Sequence, residues 1–127
     1  MPIEFLHLGD VIAIHRDQIT RYGGEAGLRD VGLLESAVAQ AQATFGGEFL
    51  HGDLFEMAAA YLFHIVKNHA FVDGNKRTGA VAAIVFLALN DVELEADEAG
   101  LESITLAAAC GKANKKQIAE FFRQIAR

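Results

Sequence analysis

Cysteine is almost missing from this chain, with Cys110 as the single example. A lone thiol closes no intrachain disulfide and assembles no cysteine zinc site. Cys110 is therefore expected to be a small, buried or half-buried residue in a reducing compartment. Tryptophan is absent and proline occurs once. There is no Pro/Ser-rich linker, repeat or low-complexity tract to mark a domain boundary. A long apolar run is lacking too: the longest stretch, Gly79 to Leu89, falls short of the ~20 residues that span a bilayer. The opening MPIEFLHLGD carries Glu4 and no basic segment ahead of an apolar run, unlike a signal peptide. A cytoplasmic protein with no membrane partner is expected. Positive charge is also in deficit, with 11 Lys+Arg against 17 Asp+Glu and a net charge of −6. A nucleic-acid binder normally carries a basic face to neutralise phosphates, so no direct nucleic-acid partner is expected and a ribonuclease is disfavoured. The basic residues do cluster, at Lys76–Arg77 and from Lys112 to Arg127, which suits a small phosphate ligand better.

Apolar residues are abundant. They make up 52% of 127 residues, enough for one core, so residues 1–127 read as one domain. The pattern is nearly all helical. Asp10 to Tyr22 has helical spacing and stops at Gly23-Gly24, and Asp30 to about Thr44 stops at Gly46-Gly47. Asp53 and Glu56 stand in capping-box spacing and open a helix to about Asn68, apolar almost all round. Asn75 to Asn90 is a second helix of that kind, and such helices form bundle centres. Asp97 to Ala109 and Asn114 to Arg127 complete an all-α bundle of about six helices. Val92 to Glu95 has the alternation of a short strand, and Ala43 to Gly52, with its glycine pair, suits a small β flap.

The loop between the two most apolar helices reads His69-Ala70-Phe71-Val72-Asp73-Gly74-Asn75-Lys76-Arg77. A helix N-terminus offers free N–H groups and a positive dipole end to an anion. Gly74 permits a tight turn and close ligand approach, and Asn75 adds an amide donor. Lys76 and Arg77 put two cations in the first turn, where the macrodipole disfavours them unless an anion is bound. Asp73 beside this cradle is an oxygen ligand suited to Mg²⁺ shared with phosphate oxygens and water. His69 is placed to accept a proton from an attacking hydroxyl. A base, a metal and fixed positive charge are what phosphoryl or nucleotidyl transfer requires.

HAFVDGNKR resembles the signature H-x-F-x-[D/E]-G-N-[G/K]-R of the Fic/death-on-curing family. It matches at His69, Phe71, Asp73, Gly74, Asn75, Lys76 and Arg77. The segments Gly27 to Gln40, Asp53 to His69 and Thr78 to Asp91 also read like death-on-curing toxins. The resemblance implies a compact all-α fold and an enzyme that uses ATP and Mg²⁺. His69 would be its base, Asp73 its metal ligand, Gly74 to Arg77 its phosphate nest and Phe71 the anchor of the loop. AMP-transferring members have Gly where this chain has Lys76, and a second Arg where it has Ala80. Both departures point to the death-on-curing branch, which transfers the γ-phosphate to a Ser/Thr hydroxyl; AMP transfer is the alternative. The resemblance further implies a target in the translation machinery, an elongation factor, and an antitoxin partner. The formal hit to the family's inhibitory motif, Thr44 to Glu48, is followed by Phe49 and spans Gly46-Gly47. An inhibitory segment is therefore expected from that partner.

Two other classes fit the residues less well. A non-catalytic phosphate-binding module would normally have lost the base or the metal ligand, and both are present. A metal-dependent hydrolase needs more ligands than His69 and Asp73 offer. Among the remaining histidines, His64 reads as a satisfied helix residue, and contact with a target is the minor reading for His51 beside the flap. The lysines from Lys112 to Lys116 read as surface charge.

Overall fold

A computed structural model describes residues 2–127. Six helices are present: α1 (Leu8–Tyr22), α2 (Val31–Ala39), α3 (Leu54–Asn68), α4 (Asn75–Leu89), α5 (Glu98–Ala109) and α6 (Lys115–Ile125). The only sheet among the described residues pairs β1 (Thr44–Phe45) with β2 (Glu48–Phe49), antiparallel and joined by Gly46-Gly47. The all-α fold with a short flap is thus as the sequence leads one to expect.

Short polar side chains set the helix starts. Asp30, Asp53, Asp97 and Asn114 each accept the backbone N–H three residues on, from Leu33, Glu56, Gly100 and Gln117. Such a cap contributes about 1 kcal/mol. Asn114 and Gln117 form the full reciprocal box. Asp53 makes the first half, while Arg123 of α6 bonds its carboxylate and stands within 4.0 Å of Glu56. The helix expected to reach Thr44 ends at Ala39 instead. The chain tightens to a 3₁₀ turn over Gln40–Gln42, and Ala43 turns extended to enter β1. The short strand expected at Val92 to Glu95 reduces to a single bridge, Leu94 to Ala126.

Helix α3 is the centre of the bundle and packs most extensively on α4, then on α6, α2 and α5. Small residues let it do so, since Ala58, Ala59 and Ala60 are fully buried. On α4, a β-carbon at Gly79 would stand 2.8 Å from Val66 Cγ2 and 3.1 Å from the Leu62 carbonyl. The larger core side chains around this crossing include Tyr61, Leu62, Ile65, Phe86 and Phe122. Tyr61 also spends its hydroxyl on the Leu6 N–H at 2.9 Å, which ties the N-terminal segment to the core.

Cys110 is exposed, contrary to its expected burial. It caps the end of α5, where the chain turns into Gly111, and so it faces out. No helix among the described residues is long and apolar enough to cross a membrane.

Candidate functional site

The expected site residues meet where α3 ends and α4 begins. His69 follows the last residue of α3 and adopts a left-handed conformation, φ 52° and ψ 47°, with its side chain exposed. Only two non-glycine residues among those described have positive φ, and His69 is one of them. Such a conformation costs about 1 kcal/mol or more and persists only where the surroundings enforce it.

Those surroundings come from a distant part of the sequence. Residues 27–30 run antiparallel to the loop: Arg29 N–H and Asp30 N–H both donate to the Ala70 carbonyl, and Val72 N–H donates to that of Gly27. The Arg29 guanidinium donates to the His69 carbonyl. Phe71 is buried, as an anchor of the loop would be, and its ring centre lies 3.8 Å from that of His15 with the planes 5° apart. His15 Nε2–H donates to the Asp73 carbonyl at 2.8 Å, so α1 fixes both sides of the turn.

Asp73 is exposed and its carboxylate accepts two backbone bonds, from Glu25 N–H at 3.1 Å and Gly74 N–H at 2.8 Å. These bonds, led by that from Glu25, hold its pKa below the ordinary carboxylate value, with Arg77 and His15 adding smaller effects. Gly24 must lack a side chain here, because a β-carbon would stand 2.7 Å from Asp73 Oδ2 and its φ is +113°. Gly74 takes φ +77° and turns the chain into α4.

Asn75 differs from its expectation in one respect. Its side chain is buried and doubly committed, accepting from Phe71 N–H at 3.0 Å and donating to the Phe71 carbonyl at 2.9 Å. It braces the loop, and only its backbone N–H faces the role of anion donor. Lys76 is exposed. Arg77 donates through Nη2 to the Gly23 carbonyl at 2.9 Å and lies 5.6 Å from the Tyr22 ring centre, which leaves its other donors free for an oxyanion.

One cavity of about 430 Å³ collects His69, Asp73, Gly74, Asn75, Lys76 and Arg77, together with Lys67 and Ala109. A second groove of about 540 Å³ shares Lys76 and Arg77 with Ala80 and the flank of α5. Sequence reasoning missed Lys67, although a cation two positions before His69 is a readable signal. It also missed His15, Gly24 and Arg29, whose contacts with the loop have no local signature. His64 accepts from the Lys115 ammonium at 3.1 Å, in keeping with a satisfied helix residue. Lys115 is consequently engaged with α3 and with the Phe63 ring, rather than being plain surface charge. His51, which follows the flap in sequence, is buried, so its side chain does not stand on the surface.

An all-helical fold whose two central helices are joined by this loop defines the class. The model of the Fic/DOC family matches residues 5–87, and the chain belongs to that family. It is 36% identical to the protein kinase doc of Escherichia phage P1 over 116 residues, which is 91% of this chain and 90% of that protein. It is 51% identical to the toxin Doc of Mycolicibacterium smegmatis over 76 residues, covering 60% of this chain and 58% of that one.

Proposed function

We propose that this protein is a death-on-curing-type toxin that transfers the γ-phosphate of ATP to a Ser/Thr hydroxyl of a protein, an elongation factor of the translation machinery. The observation that carries this reading is the gathering of an exposed imidazole, a carboxylate and three cations around one cavity at a helix N-terminus. The two relatives, one named as a protein kinase and the other as a toxin, support it.

In this mechanism the N–H groups at the start of α4, Lys76 and Arg77 bind the phosphates. His69 accepts the proton of the target hydroxyl while that oxygen bonds to the terminal phosphorus and the bond to ADP breaks. Among the described residues no group of three or more His, Cys, Asp or Glu gathers to hold a metal. A lone carboxylate kept ionised by backbone N–H groups nevertheless fits Mg²⁺, which takes one or two carboxylates plus phosphate oxygens and water. Asp73 would hold that ion, whose chemistry is to neutralise the charge that develops on the phosphates.

Two features favour phosphate over AMP transfer. Lys76 extends into space that a glycine would leave open between cavity and groove. Ala80, in the wall of that groove, supplies no second arginine clamp. The flap leaves Phe45, Phe49 and Leu50 exposed, and an extended target segment would add a strand there. Because Thr44 to Glu48 forms that hairpin rather than a helix, restraint would come from an antitoxin chain in the cytoplasm. Addition of the purified protein to a cell-free bacterial translation reaction is expected to stop synthesis, with His69→Ala inert. Undiminished synthesis would argue against a translation target.

A further inference from the structure

We infer that Arg29 is a positioning residue for His69, acting through the backbone rather than on any ligand. This rests on the reading of His69 as the base. Helix α3 ends at Asn68 and the next residue is left-handed. In glycine-capped helix ends, a following backbone N–H commonly returns to satisfy the last carbonyls. Here a side chain serves instead, as the Arg29 guanidinium reaches across to the His69 carbonyl. A cation at that end also meets the negative pole of the α3 dipole.

The Arg29 backbone is itself held in place, which sets where its side chain starts from. Its own N–H donates to the Ala70 carbonyl at 2.8 Å. The next residue, Asp30, caps α2 through Leu33 N–H at 3.0 Å. On the other side, Asn68 of α3 donates to the Leu33 carbonyl at 3.0 Å. The start of α2 and the end of α3 are thus laced together around the strained residue, and the Arg29 guanidinium grips its carbonyl. Without the clamp, the His69 carbonyl is released and the residue is free to relax toward negative φ, which swings the imidazole away from the cavity. The phosphate nest follows Phe71 in the chain and has its own anchors in Asn75 and His15, neither of which bonds Arg29.

The test compares Arg29→Ala and Arg29→Lys with the unaltered chain. Uniformly labelled protein is studied by NMR, which reads the His69 Cα shift and its HN–Hα coupling as reporters of φ, alongside steady-state transfer kinetics. In Arg29→Ala the His69 signals are expected to leave the left-handed range while those of Tyr61 and Phe86 stay put. The kcat is expected to fall about tenfold to a hundredfold, with KM for ATP changed by less than about twofold. Millimolar guanidinium ion should restore part of the lost rate in Arg29→Ala and none in His69→Ala. Arg29→Lys, which keeps the charge without the planar fork, should fall between. Unmoved His69 signals in both variants would overturn the inference. So would a kcat loss that guanidinium does not relieve. If the unaltered chain transfers nothing, the kinase reading fails, yet the NMR arm still decides whether Arg29 holds His69.

Discussion

At the scale of single residues, the site consists of ordinary groups in constrained settings. His69 is left-handed, Asp73 has both carboxylate oxygens engaged by backbone N–H groups, and Gly24 fits against that carboxylate only because it lacks a β-carbon. Replacing Asp73 by Asn is expected to raise the Mg²⁺ concentration needed for half-maximal ATP binding at least about tenfold, measured by calorimetric titration. Gly24→Ala should move the same titration in the same direction, since the new β-carbon must push Asp73 aside. An unchanged magnesium requirement in both variants would contradict the role given to Asp73. Because the Asp73 pKa is depressed, its carboxylate stays charged to lower pH than an ordinary carboxylate does. No loss of magnesium-dependent binding from this group is therefore expected between pH 7 and the upper end of the ordinary carboxylate range. Most of the site residues were legible because the chemistry of His69 to Arg77 is contiguous in sequence. Their supports were not, because His15 reaches Asp73 across 58 positions and Arg29 reaches His69 across 40. No local spacing encodes such pairs.

At the scale of elements, α3 and α4 were readable from their nearly unbroken apolar faces, and the capping side chains marked where α3 and α6 begin. Boundaries failed where tertiary pairing overrode the local pattern. The end of α2 gives way to a 3₁₀ turn so that the chain can form the flap, and Val92 to Glu95 finds only one bridging partner. The central helices approach closely at Gly79. Gly79→Ala puts a β-carbon 2.8 Å from Val66 and against the Leu62 backbone, which must separate the helices. A destabilisation of about 1–3 kcal/mol is expected from denaturant titration, in line with overpacking of a filled core. A gain in stability would mean that the crossing has slack. Deleting Gly46-Gly47 should remove the flap turn, lower labelling of protein targets and spare ATP binding. Loss of ATP binding as well would show that the flap is not a separate target-binding device.

At the scale of the whole molecule, the pairing of α3 with α6 makes stability depend on pH. Burial, followed by the neighbouring Lys115 ammonium and His51, lowers the His64 pKa to about 4. His51 shifts the same way, chiefly through burial. With the folded value below the ordinary value near 6.5, the unfolded chain binds more protons across that interval, so stability rises with pH there. The midpoint of thermal unfolding is expected to hold steady above about pH 6.5 and to fall as the pH drops toward 4. His64→Gln should flatten part of that slope, and an unchanged slope would remove His64 as its source. Against a net charge of −6, Lys67, Lys76 and Arg77 gather around the cavity at the start of α4, where an anion would be attracted. The most direct measurement is labelling of a bacterial lysate by the purified protein with Mg²⁺ and ATP carrying label at either the γ or the α phosphate. Label entering a protein from the γ position alone, and lost in His69→Ala, is the predicted result. Label from the α position would make the enzyme an AMP transferase, and label that persists in His69→Ala would contradict the assignment of the base.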